Sequence, residues 1–470
     1  MTPPPPPPPP QSTTVRYISD CLIKPHRLPP HSDRPRQLAP WELAMLAIHY
    51  IQKGLLFPLP PHCLDPGFDR PAFIHSFLDK LKRSLSSALS HFYPLAGRLA
   101  TLKHTDPPLH TVFVDCADSP GARFIHAALL DMTVADILSP TYVPSIVHSF
   151  FDHNWAVNHD GHSLSLLSAQ VTELADGVFI GLSMNHSIGD GTSFWLFFNS
   201  WSEIFQAQQK GDVDVVQLSR PPVLTRWFPE NHPGSVSLPS ADDPSSFHPR
   251  YRVPDLRERV FHFSADAIAS LKAEANRQCG TPKISSFQSL TALLWRCITR
   301  ARCLPPSQVT SCRVISNNRA RLDPPLPPEY FGNPVTMLRA ATTAGELLGG
   351  DLGWAALLLH ALVAEHGNAK VLEWNEEWIK SPQVYRLDRT FDPCSIIMSS
   401  SPRFNMYGND FGLGKAAAPR SGCANKIDGK VTSYPGREGG GSIDLEICLS
   451  PATMASLEAD AEFMAAVTDL

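Results

Sequence analysis

Residues 164–191 read LSLLSAQVTELADGVFIGLSMNHSIGDG, and this stretch decides the fold. Two apolar runs, residues 164–174 and 178–184, flank an Ala-Asp-Gly turn and predict a β-hairpin. A helix should follow, because large apolar residues then recur at helical spacing: Phe194, Phe197, Phe198, Trp201, Ile204 and Phe205. We expect Thr192 or Ser193 to cap this helix and its aromatic stripe to be core. A hairpin leading into a helix indicates a mixed α/β architecture.

The loop between the hairpin and the helix carries two candidate functional residues, His186 and Asp190. A histidine between a strand and a helix is rigidly mounted, as a general base must be. Its imidazole titrates near about 6.5 and can accept a proton at neutral pH. Asp190 could orient that ring, or it could anchor the loop through a cation elsewhere. The HxxxD pattern alone is a weak signal, since two fixed positions often occur by chance.

Periodicity predicts further elements on both sides of this stretch. They are a helix through Ile74, Phe77, Leu78, Leu81, Leu85 and Leu89; a strand at 260–263 and a helix capped by Ser264; a helix at 287–302 with Leu290, Leu293, Leu294 and Trp295 inward; a strand at 442–449; and a last helix opening at Ser450-Pro451.

Proline, serine and charged residues interrupt all periodicity at 221–254, which we interpret as a crossover loop between two lobes. The predicted organisation is a disordered proline-rich tail at 1–14, an N-terminal lobe at 15–220, this loop, and a C-terminal lobe at 255–470. A chain of 470 residues is long enough for two such lobes.

Composition restricts the classes of function. A formal charge of −5 provides no global positive field for nucleic acid or an anionic membrane. No window approaches the roughly 18 uncharged apolar residues of a membrane span, and the N-terminus lacks the basic and apolar regions of a secretory signal. The ten cysteines include no CxxC pair, which favours reduced thiols in a soluble cytoplasmic protein.

Five separated segments, in this order, resemble those of the plant BAHD acyltransferases, which use acyl-CoA donors. The segments are HFYPLAGRL at 91–99, NHSIGDGTS at 185–193, SSFQSLTALLWR at 285–296, RARLDPPLPPEYFGNPV at 319–335 and NDFGLGKAAAPRSG at 409–422. The resemblance runs from about Val15 to Leu457. It implies a two-lobe fold like chloramphenicol acetyltransferase, with mixed sheets flanked by helices and an active-site channel between the lobes.

The resemblance assigns roles to several residues near that channel. His186 would be the general base that deprotonates the acceptor, which then attacks the thioester without a covalent acyl-enzyme. The residues agree, because no GxSxG nucleophile elbow is present. Asp190 would pair with Arg319 in a structural role, although a dyad in which Asp190 polarises His186 stays open. Ser399 corresponds to a family hydroxyl that can stabilise the oxyanion.

The segment corresponding to the family's DFGWG motif reads DFGLG in this chain. Its first residue, Asp410, is kept among the catalytic candidates, whereas Gly412 and Gly414 indicate a loop that shapes the channel wall. Leu413 replaces the motif's tryptophan, and Ser401 stands where several members carry another tryptophan. These departures predict an acceptor pocket different from that of the transferases acting on shikimate or quinate.

Coenzyme A carries phosphates, and Lys283, Ser285 and Ser286 match the family's contacts to it at the start of a predicted helix. A second basic run reads as a solvated face: Lys415, Arg420, Lys426 and Lys430. The glycines at 435–441 fit neither a Walker loop nor a GxGxxG fingerprint and predict a hairpin turn.

A metal site is a weaker alternative, at Asp152, His153, His159, Asp160 and His162. The histidine spacing lacks the i, i+4 pattern of zinc-binding helices, so no metal is expected.

The predicted activity is transfer of an acetyl or aromatic acyl group from acyl-CoA to a hydroxyl or amine of a small plant metabolite. Acyl-CoA would be a co-substrate, with no permanently bound cofactor. The partners would be acyl-CoA and a small-molecule acceptor, with no nucleic acid and no membrane, and the protein would act as a monomer. Two alternatives keep the fold but change the chemistry, a lyase acting on an acylated conjugate and a non-catalytic metabolite-binding protein.

Overall fold

The computed structural model of the chain describes residues 14–30, 32–211, 216–230, 232, 234–239 and 254–468. The predicted proline-rich tail, apart from residue 14, lies outside these ranges, as do residues 240–253 of the predicted crossover loop.

The described strands are β1 (Arg16–Ile23), β2 (Arg36–Gln37), β3 (Ile51–Pro58), β4 (Arg98–Thr105), β5 (Pro108–Asp115), β6 (Ala122–Leu129), β7 (Leu167–Leu174), β8 (Gly177–Met184), β9 (Leu238–Pro239), β10 (Arg257–Phe263), β11 (Val309–Asn317), β12 (Val335–Thr343), β13 (Ser395–Ser399), β14 (Ala418–Ser421), β15 (Lys430–Pro435) and β16 (Ile443–Leu449). The described helices are α1 (Pro40–Leu43), α2 (Arg70–His91), α3 (Val134–Leu138), α4 (Gly191–Lys210), α5 (Ala265–Cys279), α6 (Ser286–Ala301), α7 (Ala344–Gly349), α8 (Leu352–Glu365), α9 (Asn368–Lys380), α10 (Leu387–Thr390), α11 (Pro451–Glu458) and α12 (Ala461–Ala466).

Two mixed six-stranded sheets organise these elements. The first has the order β1-β6-β7-β8-β3-β14, and the second has the order β10-β16-β15-β13-β11-β12. Each sheet combines parallel pairs, such as β6 with β7 and β11 with β13, with antiparallel ones. A smaller sheet, β2-β5-β4 with β9 beside β5, packs with the N-terminal half. The predicted mixed α/β architecture is confirmed.

The strand β14 connects the two halves of the chain. It belongs to the C-terminal half in sequence but pairs antiparallel with β3 in the first sheet, with Ser421 opposite Lys53 and Ala418 opposite Leu56. Just before β14, Phe411, Leu413 and Ala416 are buried in the hydrophobic core of the N-terminal half. The division between the lobes therefore does not follow one cut in the sequence.

The predicted hairpin is present as β7 and β8. These strands pair antiparallel, with Leu167 opposite Met184 at one end and Glu173 opposite Val178 at the other. Every residue of β8 is buried, as expected of a central strand covered on both faces. The strand ends at Met184, so His186 lies two residues beyond a rigid, fully packed element.

Helix α4 follows the loop and packs its aromatic stripe inward, as predicted; Trp201 Nε1 donates to Ser84 Oγ of α2 at 3.0 Å. The prediction that Thr192 or Ser193 caps α4 was wrong. The N-cap is Asp190, whose carboxylate accepts the amide of Ser193 at 2.8 Å. Ser193 is instead fully buried in the first turn.

The C-terminal half has its own core, in which α6 and α8 pack against the second sheet. The strand at 257–263, the cap at Ser264 and the helix at 286–301 confirm the predicted elements with small shifts of boundary. The glycine-rich turn at 436–442 joins β15 to β16, also as predicted. The helix opening at Pro451 is present, but α12 follows it.

The ten cysteines are all free thiols. Within the described ranges, no helix combines the length and the apolar composition needed to cross a bilayer.

Candidate active site

A cavity of about 200 Å³ is lined by residues from both of the large sheets. Its wall takes residues from β3 of the first sheet, from β11, β12, β13 and β15 of the second, and from the start of α4. His186 and Asp190 of the loop after β8 both line it. The hairpin and helix therefore deliver the predicted loop to a space enclosed by both halves.

Two asparagines fix the backbone of His186 from opposite sides. The His186 amide donates to Asn158 Oδ1 at 2.7 Å, and Asn333 Nδ2 donates to the His186 carbonyl oxygen at 2.8 Å. Asn333 Nδ2 also lies 3.3 Å from the ring atom Nδ1. Both asparagines are buried, and Asn158 Nδ2 is in turn bound to the carbonyl oxygen of Met45. The imidazole is held in one position at the cavity wall.

The His186 ring is uncharged at neutral pH. Burial lowers the pKa of this imidazole to about 4. Backbone hydrogen bonding at His186 and Gly189 and the negative charge of Asp190 offset part of that effect, whereas the positive charge of Lys430 adds to it. An uncharged imidazole keeps a lone pair available to accept a proton.

Asp190 contacts Arg319, the arginine that the family resemblance assigned to it. Arg319 Nη1 donates to Asp190 Oδ2 at 2.6 Å, and Nη2 donates to Oδ1 at 3.0 Å. Arg319 also donates to the carbonyl oxygen of Tyr330, and both charged side chains are almost fully buried. Among the described residues, no hydrogen bond joins the Asp190 carboxylate to the His186 ring.

The structure brings Ser399 to the cavity but not Asp410. Ser399 lines the wall, with its Oγ donating to the carbonyl oxygen of Val431 at 3.1 Å. The Asp410 carboxylate instead accepts the amides of Gly412 at 2.8 Å and Gly414 at 3.2 Å. The φ angles of these glycines, +79° and +82°, are in the left-handed region that favours glycine.

The two departures from the family pattern also lie outside the cavity wall. Leu413 is only 7% exposed and packs in the core of the N-terminal half. Ser401 does not line the cavity, whereas its neighbour Ser400 does. Leu413 therefore contributes to core packing beside the glycine loop and not to the cavity lining.

The residues predicted to contact coenzyme A lie at the exposed N-terminus of α6, outside the cavity lining. Ser285 is the N-cap, accepting the amide of Gln288 at 3.2 Å, while its own amide donates to Gln288 Oε1 at 2.8 Å. Lys283 is exposed just before this cap, and Ser286 begins the helix. The free amides of this first turn suit an anion.

The prediction of a solvated basic face was wrong for most of its members. Lys415 is exposed, but Arg420 and Lys426 are buried and Lys430 lines the cavity. The physical reason is that β14 and β15 place Arg420 and Lys430 in the two large sheets, and Lys426, between these strands, is bound to Glu258 and Glu446. Sequence reasoning also missed Lys53, which lines the same cavity from β3.

The histidines weighed as a metal site have separate partners. His153 Nε2 lies 2.9 Å from Ser165 Oγ, and His162 Nε2 lies 2.8 Å from Thr101 Oγ1. Within the described ranges, the metal-ligating atoms that come together belong instead to Glu258, Glu446 and Cys448. The Lys426 ammonium is bound to both of those glutamates and supplies the positive charge there.

Comparison with known proteins agrees with this geometry. The sequence model of the Transferase family matches residues 13–464. An uncharacterized acetyltransferase of Arabidopsis thaliana is 36% identical over 455 residues, which cover 96% of this chain and 98% of that protein. The BAHD acyltransferase DCR of the same plant is 34% identical over 462 residues, covering 96% of this chain and 92% of that one.

Among solved structures, F. sporotrichioides TRI101 in complex with coenzyme A and T-2 has a TM-score of 0.69 and 17% identity. The superposition covers 93% of this chain and 99% of that chain, so the predicted two-lobe fold is confirmed. Since the family match covers nearly all of the chain and both plant relatives exceed 30% identity over almost their full length, this chain belongs to the BAHD acyltransferases of the Transferase family.

Proposed function

We propose that this acyltransferase transfers an acetyl or aromatic acyl group from acyl-CoA to a hydroxyl or amine of a small plant metabolite, with His186 as general base. The observation that carries the proposal is an uncharged imidazole, fixed by Asn158 and Asn333, in the wall of a cavity between the lobes. The position of this histidine and its protonation state are those that general-base catalysis needs.

Nδ1 of His186 lies on the side of Asn333, which leaves Nε2 for the acceptor. We place the ring proton on Nδ1, where the backbone at His186 and Gly189 can accept it. As the acceptor oxygen or nitrogen attacks the thioester carbonyl carbon, its proton passes to Nε2. The tetrahedral intermediate carries a negative oxygen, for which the Ser399 hydroxyl on β13 would be the donor after turning away from the Val431 carbonyl oxygen. Collapse breaks the carbon–sulfur bond, and the coenzyme A thiolate takes the proton from the imidazolium.

Coenzyme A supplies the activated thioester when it is bound. The TRI101 crystal structure is a complex with coenzyme A, which supports the same co-substrate for this chain. Lys283, Ser285 and Ser286 would bind its phosphates, because an exposed helix N-terminus beside a free ammonium favours anions. Binding there would require the pantetheine arm to extend from α6 toward His186.

Asp190 and Asp410 serve structure in this proposal. Asp190 caps α4 and neutralises Arg319, which fixes the end of the loop that begins at His186. Asp410 closes the glycine loop through Gly412 and Gly414 and makes no contact with the cavity. Neither carboxylate accepts a proton during turnover.

The direct test is the His186→Ala variant. Its turnover with acetyl-CoA or an aromatic acyl-CoA should fall by about 10²-fold or more, with little change in thermal stability. His91→Ala is the matched control, because His91 is a half-buried imidazole outside the cavity lining. Mass spectrometry should detect acylated acceptor and free coenzyme A in equal amounts. A His186→Ala enzyme with more than a tenth of wild-type turnover would overturn the proposal, as would breakdown of an acylated conjugate without coenzyme A.

A further inference from the structure

Two lysines reach the same cavity from opposite sheets, and Lys426, which also lines it, is already bound to two glutamates. Lys53 comes from β3 of the first sheet, and Lys430 comes from the first residue of β15 in the second. Register places Lys430 opposite Ile397 of β13, and Thr432 opposite Ser399. Residues two apart on a strand point to one face, so Lys430 and Thr432 share the face of β15 that lines the cavity with Ser399.

A network behind these lysines leaves positive charge in excess. Lys426 Nζ donates to Glu258 Oε2 at 2.8 Å and is also bound to Glu446. Glu446 accepts the Tyr434 hydroxyl at 3.2 Å, and that hydroxyl accepts from Lys53 Nζ at 3.2 Å. Burial raises the pKa of the nearby Cys448 thiol to about 12, so this group stays neutral. When Lys53, Lys426 and Lys430 are all protonated, three ammonium groups therefore meet two carboxylates.

Nothing else in the described part of the cavity wall compensates the excess charge. Asp190 is the acidic residue of the described lining, and Arg319 already neutralises it. Within the part of the chain that the structure describes, Lys430 Nζ has no hydrogen-bond or ion-pair partner. Burial lowers the pKa of Lys53 to about 7 and that of Lys430 to about 8, which shows how poorly the cavity wall solvates these charges.

We infer that Lys53 and Lys430 bind a carboxylate of the substrate inside the acyl-transfer cavity. The inference rests on the proposed function, because it names the substrate class of that same site. The rest of the wall is largely apolar, with Phe194, Trp195 and Ile397, so the group that carries the carboxylate is aliphatic or aromatic rather than a sugar.

The carboxylate would lie close to the chemistry. His186 and Lys430 line the same cavity, and the positive charge of Lys430 lowers the pKa of His186. A bound anion would offset that charge and make the imidazole a stronger base when the correct substrate is present. The carboxylate can come from two sources, the acceptor itself or the far end of a dicarboxylic acyl group.

The first experiment measures binding and does not need turnover. Benzoate and its neutral isostere benzamide are titrated into wild type by calorimetry at pH 6, below the pKa of both lysines, and benzoate should bind about tenfold or more tightly. Lys430→Met and Lys53→Met should each remove most of that preference. Lys272→Met, which changes an exposed lysine of α5, should leave it unchanged. Equal affinity for the two probes in wild type, or a preference that survives both cavity variants, would overturn the inference.

The second experiment identifies the source of the carboxylate. Malonyl-CoA is compared with acetyl-CoA as donor, and tyrosine is compared with tyramine as acceptor, in wild type and Lys430→Met. A preference for malonyl-CoA that Lys430→Met abolishes assigns the carboxylate to the acyl group, and the same result for tyrosine assigns it to the acceptor. If Lys430→Met weakens coenzyme A binding as much as benzoate binding, the lysines serve the co-substrate and the inference fails.

The His186→Ala variant separates this inference from the proposed function. It should keep the benzoate preference while losing turnover, because the lysines do not depend on the imidazole. Loss of the benzoate preference in Lys430→Met, with the preference intact in Lys272→Met, would support the inference. If His186→Ala retains turnover, the general-base assignment fails, but the binding result still stands.

Discussion

Two groups of buried charge lie a short distance apart in this enzyme, and they differ in how completely the fold neutralises them. Asp190 and Arg319 form a closed pair, with two hydrogen bonds between them and further bonds to Ser193 and Tyr330. Lys53 and Lys430 form an open pair, in which the fold supplies ammonium groups without enough carboxylates. The difference indicates that the closed pair holds the structure and the open pair is reserved for a ligand.

The largest expected effect tests the closed pair. Asp190→Ala leaves the Arg319 guanidinium buried without its carboxylate, so the free energy of unfolding should fall by about 3–5 kcal/mol. Chemical denaturation followed by tryptophan fluorescence measures this change. The double variant Asp190→Ala/Arg319→Met should recover part of the loss, since it removes the uncompensated charge. If Asp190→Ala keeps wild-type stability and loses only turnover, Asp190 polarises His186. The conclusion that the closed pair stabilises the fold would then be wrong.

The second effect concerns the His186 imidazole beside the open pair. Because the pKa of His186 is lowered to about 4, kcat/KM for an uncharged acceptor should stay level from pH 7 to pH 5 and fall only near pH 4. Lys430→Met should move this acid limb to higher pH, because it removes a positive charge that disfavours protonation. An acid limb near the ordinary value of about 6.5 would show that water solvates the ring freely.

The same shift makes stability depend on pH. Between pH 6.5 and pH 4 the unfolded chain binds a proton at His186 that the folded chain does not, so folding weakens as pH falls through this window. Wild type should therefore lose up to about 1.4 kcal/mol per pH unit more than His186→Asn over that range. Above pH 6.5 the two proteins should show parallel curves.

The smallest effect tests the open pair itself. Lys430→Met removes a charge that has no partner among the described residues, so the free energy of unfolding should change by less than about 1 kcal/mol, in the stabilising direction. Lys426→Met is the contrasting variant, because it leaves Glu258 and Glu446 without their ammonium group and should lose several times more. Equal losses in the two variants would mean that Lys430 also holds the fold.

Local sequence signals predicted much of the fold. The helical spacing of α2 and α4, the alternation of β16 and the Asp-Gly turn between β7 and β8 are all present. These signals are short in range and depend only on which face is buried. The position of β14 was not predicted, because a four-residue strand carries no periodicity and its partner β3 is more than 350 residues away. The cap of α4 was misplaced because Thr192, Ser193 and Asp190 all have side chains that can cap.

The candidate site could be predicted only where one loop or a family resemblance identified it. His186 and Asp190 share one loop, and Arg319 was assigned by resemblance. Asn158 belongs to no recognisable motif. Asn333 lies in the segment 319–335 that resembles the family, but the resemblance assigned it no role. Lys53 and Lys430 are 377 residues apart, so only the three-dimensional fold shows that they share a cavity. Charged residues that are far apart in the sequence and meet only in the folded protein form no motif that a single sequence can reveal.

The four residues of β14 have a further consequence for catalysis. Since they are hydrogen-bonded into the sheet of the other lobe, a hinge motion wide enough to admit a substrate sideways would first have to break that ladder. We therefore expect the reactants to reach the cavity without such an opening between the lobes. An enzyme built in this way selects its substrates by the size and shape that the closed lobes admit.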